Sequence, residues 1–223
     1  MKPNPRLHRR LTALTALAIA ALALTSSAAA DKPKYRFTAV GQAVARSAVI
    51  QKIDFRTPGW KGGPTKPDLS DDGLACAGFD PKQSDLVTIG AASSEWTHTS
   101  GDRVSSQANV METPAMMVLD WRRTMRPALL RCLRSTLESS LDSKTQLLSA
   151  KQIAFPRVSP YVRVYRVVVG YRGVTAKMVT DMLLVGRGRT EIMITVMGYS
   201  TELKAMKPFE LNYLGKIFSR IGT

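Results

Sequence analysis

Apolar residues recur at helical spacing in four segments of the chain. Residues 38–52 favour one helix, although Gly41 weakens the pattern. Thr113-Pro114 and Arg126-Pro127 are typical helix starts and predict two more. A closing helix is expected after Pro208, where the apolar residues at helical spacing are Phe209, Tyr213, Leu214, Ile217 and Ile221.

Strand-like patterns fill two other regions. Residues 86–96 and 103–111 flank a turn and predict a hairpin. Four further strands joined by short connections are predicted at residues 146–155, 161–171, 175–185 and 189–197. Because parallel strands would need helices between them, this order predicts an α+β fold. Its antiparallel sheet, a hairpin plus a four-strand meander, should carry helices packed on it.

Residues 54–72 are predicted to form a long loop, since six glycines and prolines punctuate them. Trp60 lies inside this segment. It either covers the edge of the core or forms an exposed tip that contacts a ligand.

The first thirty residues have the layout of a secretory signal peptide. Four basic residues precede an apolar run at 11–24, and small residues end the segment at Ala28 and Ala30. As a helix the run spans roughly 21 Å, which is shorter than a hydrocarbon core of about 30 Å. We therefore expect cleavage after Ala30, a single domain at 31–223, and an extracellular or periplasmic location. An uncleaved anchor is the alternative, and the choice between general and twin-arginine export stays open.

Two cysteines, Cys76 and Cys132, lie in the exported part. In an oxidising compartment so small an even count favours one disulfide, worth roughly 4 kcal/mol for a loop of this length. A reactive thiol or a metal ligand is the other interpretation. The chain lacks the CxxC spacing and the several histidines that this second interpretation needs.

The predicted mature chain is strongly basic, with 28 Lys and Arg against 17 Asp and Glu after residue 30. A basic surface attracts polyanions, so the expected partners are an anionic wall polymer, anionic lipid headgroups, extracellular nucleic acid or a protein of the envelope. No phosphate loop, aromatic RNA-binding pattern or zinc-finger spacing is present, which argues against specific nucleic-acid recognition. We predict an apolar groove whose basic rim draws on Arg122, Arg123 and Arg126, although a solvated helix surface would look the same.

Few residues are available for catalysis. His98 is the only histidine after the leader, so zinc sites with several histidines are excluded, and we expect no metal and no cofactor. The alternative to a binding protein is a hydrolase that uses Asp71, Asp72 or Asp181. Asp181 interrupts an apolar strand. If it points inward, it needs Lys177, Arg163 or Arg166 as a partner, or its pKa rises.

The order of motifs resembles a family of secreted bacterial, especially actinobacterial, α/β sandwich domains related to PsbP and to the extracellular sensor domain of the kinase PknH. The residues that carry the resemblance are Asp54, Gly59-Trp60, Cys76, residues 84–87 (Ser-Asp-Leu-Val), Pro127, Cys132 and residues 187–189 (Arg-Gly-Arg). The chain differs from the PknH domain in having one potential disulfide rather than two. The resemblance implies a curved antiparallel sheet, helices packed on it, a possible ligand groove and no catalytic residue.

Together these features predict a secreted, non-catalytic binding or sensing domain of the bacterial cell envelope. A structural envelope protein is the third hypothesis, besides the hydrolase. The sequence leaves the ligand and the oligomeric state open.

Overall fold

The computed structural model describes residues 31–69, 75–199 and 203–222. The predicted leader at 1–30 and the candidate acids Asp71 and Asp72 lie outside the described residues. In chain order the elements are β1 (Lys34–Tyr35), α1 (Ala39–Ser47), a 3-10 turn (Lys52–Asp54), β2 (Trp60–Thr65), β3 (Val87–His98), β4 (Arg103–Met111), α2 (Pro114–Thr124), α3 (Pro127–Ser140), β5 (Thr145–Ile153), β6 (Tyr161–Tyr171), β7 (Lys177–Arg187), β8 (Thr190–Tyr199) and α4 (Leu203–Ile221).

The strands form one eight-stranded sheet in the order β1-β3-β4-β8-β7-β6-β5, and β2 pairs with β3 on the same side as β1. Apart from the parallel β1–β3 pair, every described pairing is antiparallel. The predicted hairpin is β3–β4 and the predicted meander is β5 to β8. The pairing of β4 with β8 joins the two into one sheet, so the predicted α+β fold with a mostly antiparallel sheet is confirmed.

Helices cover both faces of this sheet. Buried residues of α1 and α4, among them Ala45, Tyr213 and Ile217, pack on one face against the inward residues of β4, β7 and β8. On the other face Leu129 and Leu133 of α3 pack against β6, while α2 packs across the nearby strand ends. The α1/α4 face holds the largest core.

A charged pair fixes α4 to the segment after α1. Arg220 donates to both oxygens of the Asp54 carboxylate, at 2.6 and 3.0 Å, and to the carbonyls of Ser47 and Val49. Asp54 is almost fully buried, so its charge depends on this partner. The pair positions the closing helix on the sheet.

Three sequence predictions about the elements need correction. The segment predicted as a loop contains β2, an edge strand in which Gly62 (φ +145°) and Pro64 break the usual strand pattern. Helix α1 ends at Ser47, because the buried residues that follow continue the apolar pattern in a non-helical conformation. Helix α4 begins before Pro208, which lies inside it.

Candidate functional site

The arginines predicted to form a basic rim lie where α2 ends and α3 begins. Arg123 is committed to the fold: it donates to both oxygens of Asp85, at 2.6 and 2.9 Å, and to the carbonyl of Lys82. The hydrogen bond from Arg123 holds the pKa of Asp85 well below its usual value. Arg122 and Arg126 are exposed and form no ion pair with a carboxylate of the described residues. Only these two of the three can offer their charge to a ligand.

Trp60 lies far from those arginines. It is half-buried against the core, with its ring 4.5 Å from that of Phe55 and 5.9 Å from that of Phe209, measured between centroids. Trp60 pairs with His98, the last residue of β3. Arg123 bonds to Asp85, which lies two positions before the first residue of β3. Since β3 has 12 residues, it spans roughly 40 Å. The structure therefore does not bring Trp60 and the arginines into one site.

His98 has a serine and an aspartate beside it, which the sequence analysis missed although Ser100 and Asp102 follow within four residues. The imidazole Nδ1 lies 2.6 Å from the Ser100 hydroxyl, which donates to Asp102 at 2.5 Å, while Nε2 faces the carbonyl of Pro58. In a catalytic triad the histidine stands between the serine and the acid. Here the serine stands between them, so this turn does not have the geometry of a hydrolase triad.

Asp181 points inward, and the predicted need for a partner is met by Arg166. The two residues are paired across β6 and β7, and Arg166 donates to both carboxylate oxygens, at 2.7 and 2.5 Å. Asp181 is fully buried, and so is its neighbour Glu210 on α4. Burial first, and then the contact with Asp181, raise the pKa of Glu210 to about 8. Neither acid can contact a substrate in this arrangement.

Glu191 on β8 also has a carboxyl neighbour. Burial first, and then the charge of Asp120 on α2, raise the pKa of Glu191 well above its usual value. Asp120 accepts hydrogen bonds from the Gln83 amide and the Thr124 hydroxyl, at 2.6 and 3.1 Å. Through the contact with Gln83, Asp120 links α2 to the segment before β3.

The strongest concentration of unneutralised charge lies at the opposite side of the sheet from β1 and β2. We call the strands β5 and β6 with their flanking turns, residues 144–177, the basic edge. Within residues 143–180 the sequence contains no Asp or Glu. Its seven cations are Lys144, Lys151, Arg157, Arg163, Arg166, Arg172 and Lys177. Arg163 is half-buried and Arg166 is paired with Asp181, while the other five are exposed and form no ion pair within the described residues.

Two surface cavities open on the basic edge, one at each end of the β5–β6 pair. The first, about 240 Å³, is lined by Gln152, Ile153, Ala154, Phe155, Arg157, Val162, Arg163 and Val164. The second, about 210 Å³, is lined by Gln146, Leu148, Gly170, Tyr171, Arg172, Val174 and Lys177. Each combines apolar residues with two cations. Leu148 and Ile153 lie five positions apart on β5, so the cavities lie roughly 17 Å apart.

This arrangement suits an anionic ligand. Among the described residues the five exposed cations form no ion pair, so their field extends into solvent and attracts negative charge. The apolar walls of the cavities would contact uncharged parts of the same ligand. Sequence reasoning predicted an apolar groove with a basic rim at Arg122, Arg123 and Arg126, and the two cavities of the basic edge are lined by other residues.

The cysteines are bonded as predicted: Cys76 is joined to Cys132 of α3, 56 positions later. Such a bond indicates an oxidising environment, as in extracellular or periplasmic space. No helix within the described ranges is both long and apolar enough to cross a bilayer. Among the described residues, no three His, Cys, Asp or Glu side chains converge as metal ligands would.

Comparison of the chain with protein-family models and with curated proteins finds no match. The geometry of the chain itself therefore carries the functional argument.

Proposed function

We propose that this protein is an exported, non-catalytic binding domain of the bacterial envelope that attaches to anionic material through its basic edge. The observation that carries the proposal is the separation of charge along the chain. Residues 122–180 contain 12 Lys and Arg against two Asp and Glu, whereas the rest of residues 31–223 contains 16 against 15. Nearly all of the net charge thus belongs to the end of α2, α3, β5, β6, the start of β7 and their connections.

The fold does not need this excess. Its buried ion pairs use two of the arginines, Arg166 with Asp181 and Arg220 with Asp54, and each of these arginines has its own carboxylate. Among the described residues the exposed cations of the basic edge form no ion pair that stabilises the fold, and their mutual repulsion costs stability. A ligand that supplies negative charge would account for their concentration.

The proposed class of protein is the PsbP-like and PknH-sensor-like sandwich that the motifs resemble. The mostly antiparallel sheet, the helices on both faces and the bond between Cys76 and Cys132 support this assignment. The hydrolase hypothesis has less support, because Asp181 is buried and neutralised by Arg166. No contact of the described residues favours a purely structural role over binding.

The proposal predicts that binding to a polyanion depends on where a cation lies. Replacing Lys151 and Arg157 by glutamine should weaken binding to dextran sulfate, since an exposed cation near an anionic surface is worth about 1 kcal/mol, or roughly fivefold in affinity. The double variant should therefore bind roughly thirtyfold more weakly. Its elution from a dextran sulfate column at lower salt than the parent protein would measure this loss.

The matched control removes two exposed cations from the other side of the sheet. Lys61 and Lys66 lie on or beside β2, and glutamine at both positions removes the same charge. We expect this control to elute with the parent protein. Equal losses in the two double variants would mean that net charge alone drives binding, and the basic edge would then not be the site.

A further inference from the structure

The end of the basic edge where β6 turns into β7 combines exposed apolar side chains with cations. Val174 is 52% exposed, Leu148 43% and Tyr199 41%, and Tyr171 beside them is half-buried. We call these four residues the apolar tip. Isolated exposed apolar residues are ordinary, but a group of them at one end of a sheet marks an interaction site.

Register and contacts place the members of the apolar tip at one end of the sheet, with Tyr171 and Tyr199 on the α3 face and Leu148 on the other face. Val174 lies in the turn after β6, where its N–H donates to the carbonyl of Tyr171. The next strand begins at Lys177, and the register of β7 with β8 places Met178 opposite Tyr199. Leu148 packs over Gly170, where an added Cβ would lie 3.0 Å from its nearest methyl carbon.

Three exposed cations surround this tip: Lys144, Arg172 and Lys177. Lys144 lies beside the turn, since its carbonyl accepts a hydrogen bond from the N–H of Arg172. An acid of this neighbourhood, Asp142, accepts from the Thr145 hydroxyl and the Lys144 N–H. The hydrogen bond from Thr145 lowers the pKa of Asp142. A second acid, Asp102, lies beside Gly198 and thus near Tyr199, so among the described residues the three cations outnumber the acids.

We propose that the apolar tip inserts into the surface of a bilayer containing anionic lipid, with these three cations in contact with the headgroups. This inference rests on the proposed function and names its ligand. A soluble polyanion would use the cations alone and leave Val174 and Leu148 exposed. Aliphatic side chains, tyrosines and Lys or Arg occur together at membrane interfaces, where acyl chains and anionic headgroups meet.

A second exposed apolar group provides the comparison. This group consists of Tyr35, Phe37 and Val40 and lies beside the start of β3. Its two rings are 5.8 Å apart between centroids, and Arg36 beside them is ion-paired with Glu112. This group is at least as exposed, with Val40 at 65%. It lies outside the stretch that carries the charge excess, so we do not assign it to the membrane.

The test is sedimentation of the protein with vesicles of phosphatidylcholine, with and without phosphatidylglycerol. Val174→Ser should weaken binding to the anionic vesicles about fivefold, because inserting half of a valine side chain contributes about 1 kcal/mol. Replacing Arg172 and Lys177 by glutamine should weaken it about thirtyfold. Val40→Ser removes the same side chain from the other apolar group and should bind as the parent protein does.

Binding to dextran sulfate separates the failure of this inference from that of the proposed function. Val174→Ser should leave that binding unchanged, whereas loss of the two cations should weaken it. If Val174→Ser and Val40→Ser bind anionic vesicles equally well, insertion of the tip is refuted while the basic edge can still bind polymer. If the parent protein binds neither probe, both proposals fail. Because Leu148 contacts Gly170, its replacement risks local rearrangement. Val174→Trp provides the second variant, and it should bind anionic vesicles more tightly.

Discussion

Replacing Cys76 and Cys132 together by alanine is expected to lower the free energy of unfolding by about 4 kcal/mol. The bond closes a loop between residues 56 positions apart, and the chain-entropy model assigns a loop of this length that value. Cys132 is buried in α3, while Cys76 belongs to a short turn closed by a bridge to Phe79. Urea unfolding of the oxidised protein and of the variant measures the difference.

The same bond holds the Cys76 turn on the core beneath it. Phe79 is buried with Leu133 of α3 and Val167 of β6, so loss of the bond also loosens this group. A reductant should shift the urea midpoint of the parent protein toward that of the alanine variant, and it should leave the variant itself unchanged. An unchanged midpoint for the reduced parent protein would show that the disulfide does not constrain the unfolded chain as described.

Local signals in the sequence were sufficient where the structure depends on local chemistry. The Thr113 hydroxyl accepts from the N–H of Met116, and Pro114 occupies the first turn of α2, as the motif predicts. The second start is also confirmed, with Pro127 as the first residue of α3. In β8 the alternation from Thr190 to Val196 places buried and half-buried residues in strict succession. These elements follow from capping and from side-chain periodicity.

Elements that depend on distant partners could not be predicted in this way. Strand β2 contains two glycines and a proline, and its extended conformation depends on pairing with β3 along residues 93–98. Likewise, β1 consists of two residues held by the start of β3. Nothing in either short segment distinguishes it from a loop, because its stabilising contacts come from elsewhere in the chain.

Part of the candidate site could likewise be predicted from the sequence, and part depends on contacts between distant residues. The absence of acids from residues 143–180 can be read from the sequence. The predicted rim rested instead on Arg122, Arg123 and Arg126, because these three lie close together in the chain. Only the fold reveals that Arg123 is bonded to Asp85, whereas cations far apart in sequence meet along one side of the sheet. Local density of charge thus indicated two exposed cations without an ion pair among the described residues, Arg122 and Arg126, and one that is paired.

A buried acid beneath α4 makes stability depend on pH in an unusual direction. Glu210 and Asp181 are both fully buried, and no donor of the described residues hydrogen-bonds to either oxygen of Glu210. Arg166 donates its two carboxylate hydrogen bonds to Asp181. Two adjacent carboxyls repel each other unless one holds a proton, and burial favours the uncharged form. Glu210 holds the proton, because its pKa is raised to about 8 from a usual 4.5.

The stability that this proton contributes is fully present below pH 4.5 and is lost as the pH rises toward 8. Between these values the folded protein binds one proton more than the unfolded chain does, so stability falls by about 1.4 kcal/mol per pH unit from this group. Glu210→Gln keeps an uncharged side chain that can donate to Asp181. We expect it to match the parent protein below pH 4.5 and to be about 5 kcal/mol more stable above pH 8, which is that slope taken from pH 4.5 to pH 8.

Urea unfolding across this pH range measures the effect, and Glu138→Gln is the matched control. Glu138 is an exposed acid of α3, so its replacement removes the same ionisable group without touching the buried pair. The Glu138 variant should follow the parent curve at every pH. If Glu210→Gln follows it too, Glu210 does not keep its proton in the folded state, and the Asp181 charge must be balanced by Arg166 with Glu210 ionised beside it.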